Sequence, residues 1–97
     1  MNVLILGPSG MIGPLIVEAL EKDHRLRLAD IQEAEKVDHE FVKVDISELD
    51  QVVAVAKGMD AIINLCVERR DRRLAFDIST RGCYNMMVAA VHHGFGE

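Results

Sequence analysis

Short, unbroken apolar runs alternate along this chain with segments whose apolar residues return at helical spacing. Asn2 to Leu6 is one such run, closed by Gly7 and Pro8, and its length and ending predict a buried strand. From Met11 to about Asp23 the residues Met11, Ile12, Leu15, Ile16, Ala19 and Leu20 recur every three or four positions, which predicts an amphipathic helix. Pro14 falls in its first turn, where a missing N–H costs little. Leu26 to Ala29 predicts a second strand ending at Asp30, the polar and acidic stretch Ile31 to Glu40 a loop, and Phe41 to Val44 a third strand closed by Asp45. Ser47, with Asp50 three residues later, has the form of an N-cap and a weak capping box. The helix it would start carries Leu49, Val52, Val53 and Ala56 as its apolar stripe and stops at Gly58. Ala61 to Leu65 is a fourth strand with almost no polar alternation, as in a parallel strand covered on both faces. A last helix is predicted from about Ala75 to His93, with Ile78, Gly82, Cys83, Met86, Met87 and Ala90 on one side and Gly94 at its end.

This order of elements predicts an α/β domain with a parallel sheet. Right-handed crossovers give the strand order 3-2-1-4 with helices on both faces, which is one half of a doubly wound sheet plus the strand and helix that begin the other. The 97 residues are enough for one domain, with no repeat, linker or low-complexity stretch. A hydrophobic share of 49% argues against disorder. Eleven Lys and Arg against sixteen Asp and Glu, a net charge of -5, remove the electrostatic footprint of a nucleic-acid binder. No apolar run approaches the ~18 residues of a membrane span, and the N-terminal run is too short, and has no basic start, for a signal peptide. Two cysteines, Cys66 and Cys83, are too few for a disulfide scaffold and are expected as buried thiols in a reducing cytosol.

The candidate chemistry lies where the first strand meets the first helix. Gly7-Pro8-Ser9-Gly10-Met11-Ile12-Gly13 has the Gly-x-x-Gly-x-x-Gly spacing of a phosphate-cradling turn. Gly7 permits the tight turn, Gly10 lets the backbone approach a pyrophosphate, and Gly13 lets the helix pack close to the sheet. The helix N-terminus offers N–H groups and a partial positive charge, and Ser9 adds a hydroxyl. A glycine-rich turn with no ligand is the alternative. Asp30 closes the second strand seventeen residues after Gly13, where a carboxylate accepts hydrogen bonds from an adenosine ribose and repels the 2′-phosphate of NADP. No Lys or Arg follows until Lys36, so NAD is expected over NADP; a solvated loop acid is the alternative. Asp45 and the Ile46 backbone are placed to meet adenine, or Asp45 merely starts the next turn. Asn64, Leu65 and Cys66 close the fourth strand beside the switch point, where both cofactor contact and core packing are open to them.

Other features carry less. Arg69, Arg70, Arg72 and Arg73, mixed with Glu68 and Asp71, form either a phosphate clamp or, in the simpler reading, a solvated loop. His92 and His93 are adjacent on a helix, so they point apart and are better read as helix-end residues favoured by the dipole than as metal ligands. Met86 and Met87 are expected in the core.

The glycine turn, the Asp30 ending, Val44-Asp45-Ile46, Asp60-Ala-Ile-Ile-Asn-Leu-Cys66 and the helix Gly82-Cys-Tyr-Asn85-Met-Met-Val-Ala-Ala90 together resemble the N-terminal part of extended short-chain dehydrogenase/reductases. The group most similar is the NAD-dependent epimerase/dehydratases, which act largely on nucleotide sugars. The resemblance implies a Rossmann-like fold in which Gly7, Gly10 and Gly13 hold the pyrophosphate and Asp30 holds the adenosine ribose. It implies that Asp45 and Ile46 flank adenine and that Leu65, Cys66 and Val67 line the cofactor groove. Ser9, Met11, Ile12 and Ile31, in the same turns, complete the expected NAD site. Two positions depart from the family's pattern: Ser79 stands where an asparagine precedes the glycine by three, and the Tyr-x-x-x-Lys pair is missing, since the only tyrosine is Tyr84 and Val88 follows four later. No catalytic residue and no metal site are therefore assigned. The expectation is a cytoplasmic NAD-binding domain, truncated before the catalytic region of an epimerase/dehydratase-like oxidoreductase acting on a sugar nucleotide or similar small molecule. The alternatives are a non-catalytic NAD-sensing module that works as an oligomer, and a truncated product with no role of its own. With strand 4 at the sheet edge, the chain is expected to self-associate through that strand and the last helix, or to pair with a complementing C-terminal segment.

Overall fold

The computed structural model describes residues 1–9, 12–32, 39–66 and 77–94. Its elements are β1 (Asn2–Leu6), α1 (Gly13–Leu20), β2 (Arg25–Asp30), β3 (Glu40–Lys43), α2 (Leu49–Val55), β4 (Ala61–Asn64), a π-helical turn (Asp77–Arg81) and α3 (Gly82–His92). The four strands form one sheet in the order β3-β2-β1-β4. Every pairing is parallel: Leu4 faces Arg27 and Ile62, and Leu28 faces Phe41. The predicted order and fold class are those observed.

Alternation along β1 divides the core in two. Leu4 and Leu6 point to one face of the sheet, where they meet Val44, Ile46, Val52, Val55, Ala56 and Ala89 beneath α2 and α3. Val3 and Ile5 point to the other, where they join Leu26 and Leu28 beneath Ile16, Val17 and Leu20 of α1. Both faces of β1 are thus buried, which is why its sequence shows no polar alternation. Backbone groups tie the base of the sheet: Asn2 N–H donates to Asp60 Oδ2 at 2.7 Å and Asp60 N–H returns a bond to the Asn2 carbonyl at 2.7 Å.

The helices depart from the expected faces. On α1, Val17 packs inward and Leu15 is 65% exposed, because the rotation of the helix is fixed by the turn that starts it. On α3 the buried positions are Gly82, Asn85 and Ala89, with Met86 packed against them; Cys83 and Met87 face outward, so neither is the core residue expected. Ser47 is not the N-cap of α2. Glu48 holds that position without a side-chain bond, and the Ser47 hydroxyl donates instead to Asp45 Oδ1 at 2.7 Å. The side chain of Gln51, three residues after that N-cap, does not bond to it; its Oε1 accepts instead from Asp45 N–H at 2.8 Å and ties the helix to the turn before it. The C-terminal carbonyls of α2 are met by Arg27 of β2, whose Nη1 donates to Val55 O at 2.7 Å and Lys57 O at 2.8 Å.

Candidate functional site

The C-terminal ends of β1, β2 and β4 open onto one rim of the sheet, and the ladder runs past the strands to stiffen it. Gly7 N–H donates to Ala29 O at 2.8 Å, Leu65 N–H to Leu6 O at 2.7 Å, and Val44 N–H to Asp30 O at 2.8 Å. Gly7 leaves β1 with φ +77°, and a Cβ there would stand 2.9 Å from both the Cys66 nitrogen and Sγ. Gly13 opens α1, and a Cβ there would lie 1.8 Å from the Pro8 carbonyl oxygen. Its close approach is therefore to the turn itself rather than to the sheet, as the sequence suggested. No acidic side chain occupies the first turn of α1, so nothing in that turn cancels the partial positive charge of the helix N-terminus. Ile12 sits exposed at the N-cap. Gly10, Met11 and Val67, and the arginines at 69, 70, 72 and 73, lie outside the described residues.

Asp30 ends β2 beside this turn. Its Oδ2 accepts from the Ser9 hydroxyl at 2.5 Å and from Ser9 N–H at 3.1 Å, and its Oδ1 from Ile31 N–H at 2.7 Å. Ile31 then projects into solvent, 56% exposed. Asp45 starts the turn into α2: Oδ1 accepts from Ser47 N–H at 3.0 Å as well as from the hydroxyl. Ile46 is buried in the core, and its carbonyl accepts from Asn85 Nδ2 at 3.0 Å. Leu65 packs toward α1 and Cys66 toward α2 and α3, with Cys66 N–H bonded to Asn64 Oδ1 at 2.9 Å. Burial pushes the Cys66 thiol up to about 12, and the charges of Asp30 and Asp45 add to it. Both carboxylates thus act on one thiol at the centre of the rim, and the field there opposes further negative charge.

Asn85 and Gln51 escaped the sequence reading, although each holds a loop at this rim. An amide within an otherwise apolar helix was the one available signal for Asn85; for Gln51, three residues after the true N-cap, the signal was masked by assigning the cap to Ser47. His93 is held by a contact rather than by the dipole alone. Its Nε2 lies 2.7 Å from Val53 O, and since a carbonyl only accepts, that nitrogen carries the proton. Among the described residues no cluster of His, Cys, Asp or Glu has the makings of a metal site, and no helix is long and apolar enough to cross a membrane. A groove of about 450 Å³ lined by Arg27, Val42, Val44, Gln51 and Val55 runs between β3 and α2, apart from the glycine turn.

The model of the NAD-dependent epimerase/dehydratase family matches residues 3–95. A curated relative, the N-acetyl-alpha-D-glucosaminyl-diphospho-ditrans,octacis-undecaprenol 4-epimerase of Escherichia coli O157:H7, is 29% identical over 96% of this chain. Uronate dehydrogenase from Agrobacterium tumefaciens superposes with a TM-score of 0.85 over 96% of this chain at 29% identity, and a variant of that enzyme has been solved in complex with NAD. A monomeric L-threonine 3-dehydrogenase from a metagenome shares the fold, with a TM-score of 0.88 at 20% identity. This chain spans 29% of the length of the epimerase and 37% of that of the uronate dehydrogenase.

Proposed function

The chain belongs to the NAD-dependent epimerase/dehydratase family, and we propose that it is the dinucleotide-binding part of an NAD-dependent oxidoreductase of that family. The observation that carries this reading is the Asp30 carboxylate, fixed at the end of β2 against the glycine turn by Ser9. A pyrophosphate fits against the turn and the helix N-terminus, where Gly7, Ser9, Gly10, Met11, Ile12 and Gly13 would hold it. Asp30 accepts from the adenosine ribose, with Ile31 beside it. Asp45 and Ile46 would flank adenine, and Leu65 and Cys66, with Val67 next in sequence, would line the groove toward the nicotinamide. When bound, the nicotinamide ring supplies hydride transfer. The carboxylates at the rim disfavour a 2′-phosphate, so the cofactor is NAD rather than NADP.

The substrate reading follows the relative: a sugar nucleotide or similar small molecule, acted on by the complete enzyme. A non-catalytic NAD-sensing module is the second reading. Turnover after adding the remainder of a relative as a separate chain distinguishes the two. The reading of the site itself is tested by calorimetric titration with NAD, NADP and ADP-ribose. NAD and ADP-ribose are expected to bind, NADP more weakly, and Asp30→Ala to lower NAD affinity about tenfold or more. Undiminished NAD affinity in Asp30→Ala removes the ribose assignment.

A further inference from the structure

A carboxylate offers two acceptor positions on each oxygen, and the way Asp30 spends them is unequal. Oδ1 takes Ile31 N–H at 2.7 Å, with Gln32 N–H no nearer than 3.5 Å. Oδ2 takes two donors from one residue, the Ser9 N–H at 3.1 Å and the Ser9 hydroxyl at 2.5 Å. A vicinal diol that grips a carboxylate in the usual paired manner gives one hydrogen bond to each oxygen. Oδ1 has room for one of them; Oδ2 is full. The Ser9 amide is fixed by the backbone of the turn, whereas its hydroxyl needs only a rotation about one side-chain bond to leave.

We infer that the Ser9 hydroxyl is an internal competitor for the ribose diol, and so a specificity-determining residue: it occupies the acceptor position on Asp30 that the sugar must take. The inference rests on Asp30 being the ribose acceptor. Ligands carrying both hydroxyls displace the Ser9 hydroxyl and bear that cost. Ligands lacking them leave it in place. Ser9 is exposed and Asp30 only half-buried, so the exchange needs no movement of the core.

The experiment is a calorimetric titration of the full chain and of Ser9→Ala and Ser9→Thr, using NAD and an NAD analogue with a dideoxyribose on the adenosine side. Ser9→Ala is expected to bind NAD about tenfold more tightly, the lower end of the worth of a hydrogen bond to a charged carboxylate. It should bind the dideoxy analogue no more tightly than the unaltered chain does. Ser9→Thr, which keeps the hydroxyl, should match the unaltered chain with both ligands. A purely structural role for Ser9 would shift both ligands together and overturn the inference, as would unchanged or weaker NAD binding in Ser9→Ala. Failure of the unaltered chain to bind NAD overturns the reading of Asp30 as well, which separates the two failures. A cooperative unfolding transition in Ser9→Ala shows that the comparison is between folded chains.

Discussion

Burial and two neighbouring carboxylates push the Cys66 thiol from 9.0 up to about 12, while Cys83 lies on the exposed side of α3. The thiolate is the reactive form, so the two residues separate chemically. At pH 8, iodoacetamide is expected to label Cys83 in the folded chain and to reach Cys66 only after denaturation; mass spectrometry of tryptic peptides reads the difference. The same shift acts on stability. The unfolded chain ionises this thiol as pH rises past about 9.0, while the folded chain keeps its proton until about 12. The unfolded state therefore binds fewer protons in that window, and the contribution of Cys66 to stability falls as pH rises through it. Below pH 9 that contribution is flat. Urea midpoints between pH 8 and 10.5, compared with those of Cys66→Ala, show whether the decline belongs to this residue. Both cysteines were expected to be buried; Cys66, just past the end of an apolar strand, is half-buried, and Cys83 is exposed, because a cysteine fits either face of a helix.

At the scale of the elements, the strands were legible and the helix faces were not. A strand buried on both faces announces itself by an unbroken apolar run, as β1 does; the same signal located β4, although its residues are only half-buried here. A helix shows its buried side only through the polar residues opposite, and α3 has few. Its inward face contains Asn85, which apolar periodicity assigns to solvent, and its outward face contains Tyr84, Met87 and Val91. What holds this face inward is the hydrogen bond that the Asn85 side-chain amide donates to the Ile46 carbonyl. Asn85→Leu is expected to lower stability by about 1–3 kcal/mol, since it leaves that carbonyl without a donor in the interior. Cys83→Ser on the outer face should change it by less than about 0.5 kcal/mol. Denaturant unfolding of the two variants measures both, and equal effects would remove the role given to Asn85. The glycine turn and Asp30 were legible for a different reason: they are punctuation at strand ends, where spacing alone carries information. The Ser9–Asp30 bond was not, because it joins residues from two separate turns.

Over the whole molecule the sheet is asymmetric. Among the described residues β4 pairs with β1 alone, and all of its residues are half-buried. The outward residues Tyr84, Met87 and Val91 of α3 are 61–80% exposed. An apolar strand with unpaired backbone groups favours association, so the 97-residue chain is expected to sediment above monomer mass at tens of micromolar. Met87→Glu should shift it toward monomer. A clean monomer in the unaltered chain would show that this edge does not bind. The position of β1 has a different consequence. It is paired on both edges, through Val3 to Leu26 on one side and to Ala61 on the other. Translation delivers β1 before β2, and β4 after both. Until residue 61 emerges, a nascent chain can pair only one edge of β1, so Val3, Leu4, Ile5 and Leu6 are open to a chaperone over that interval.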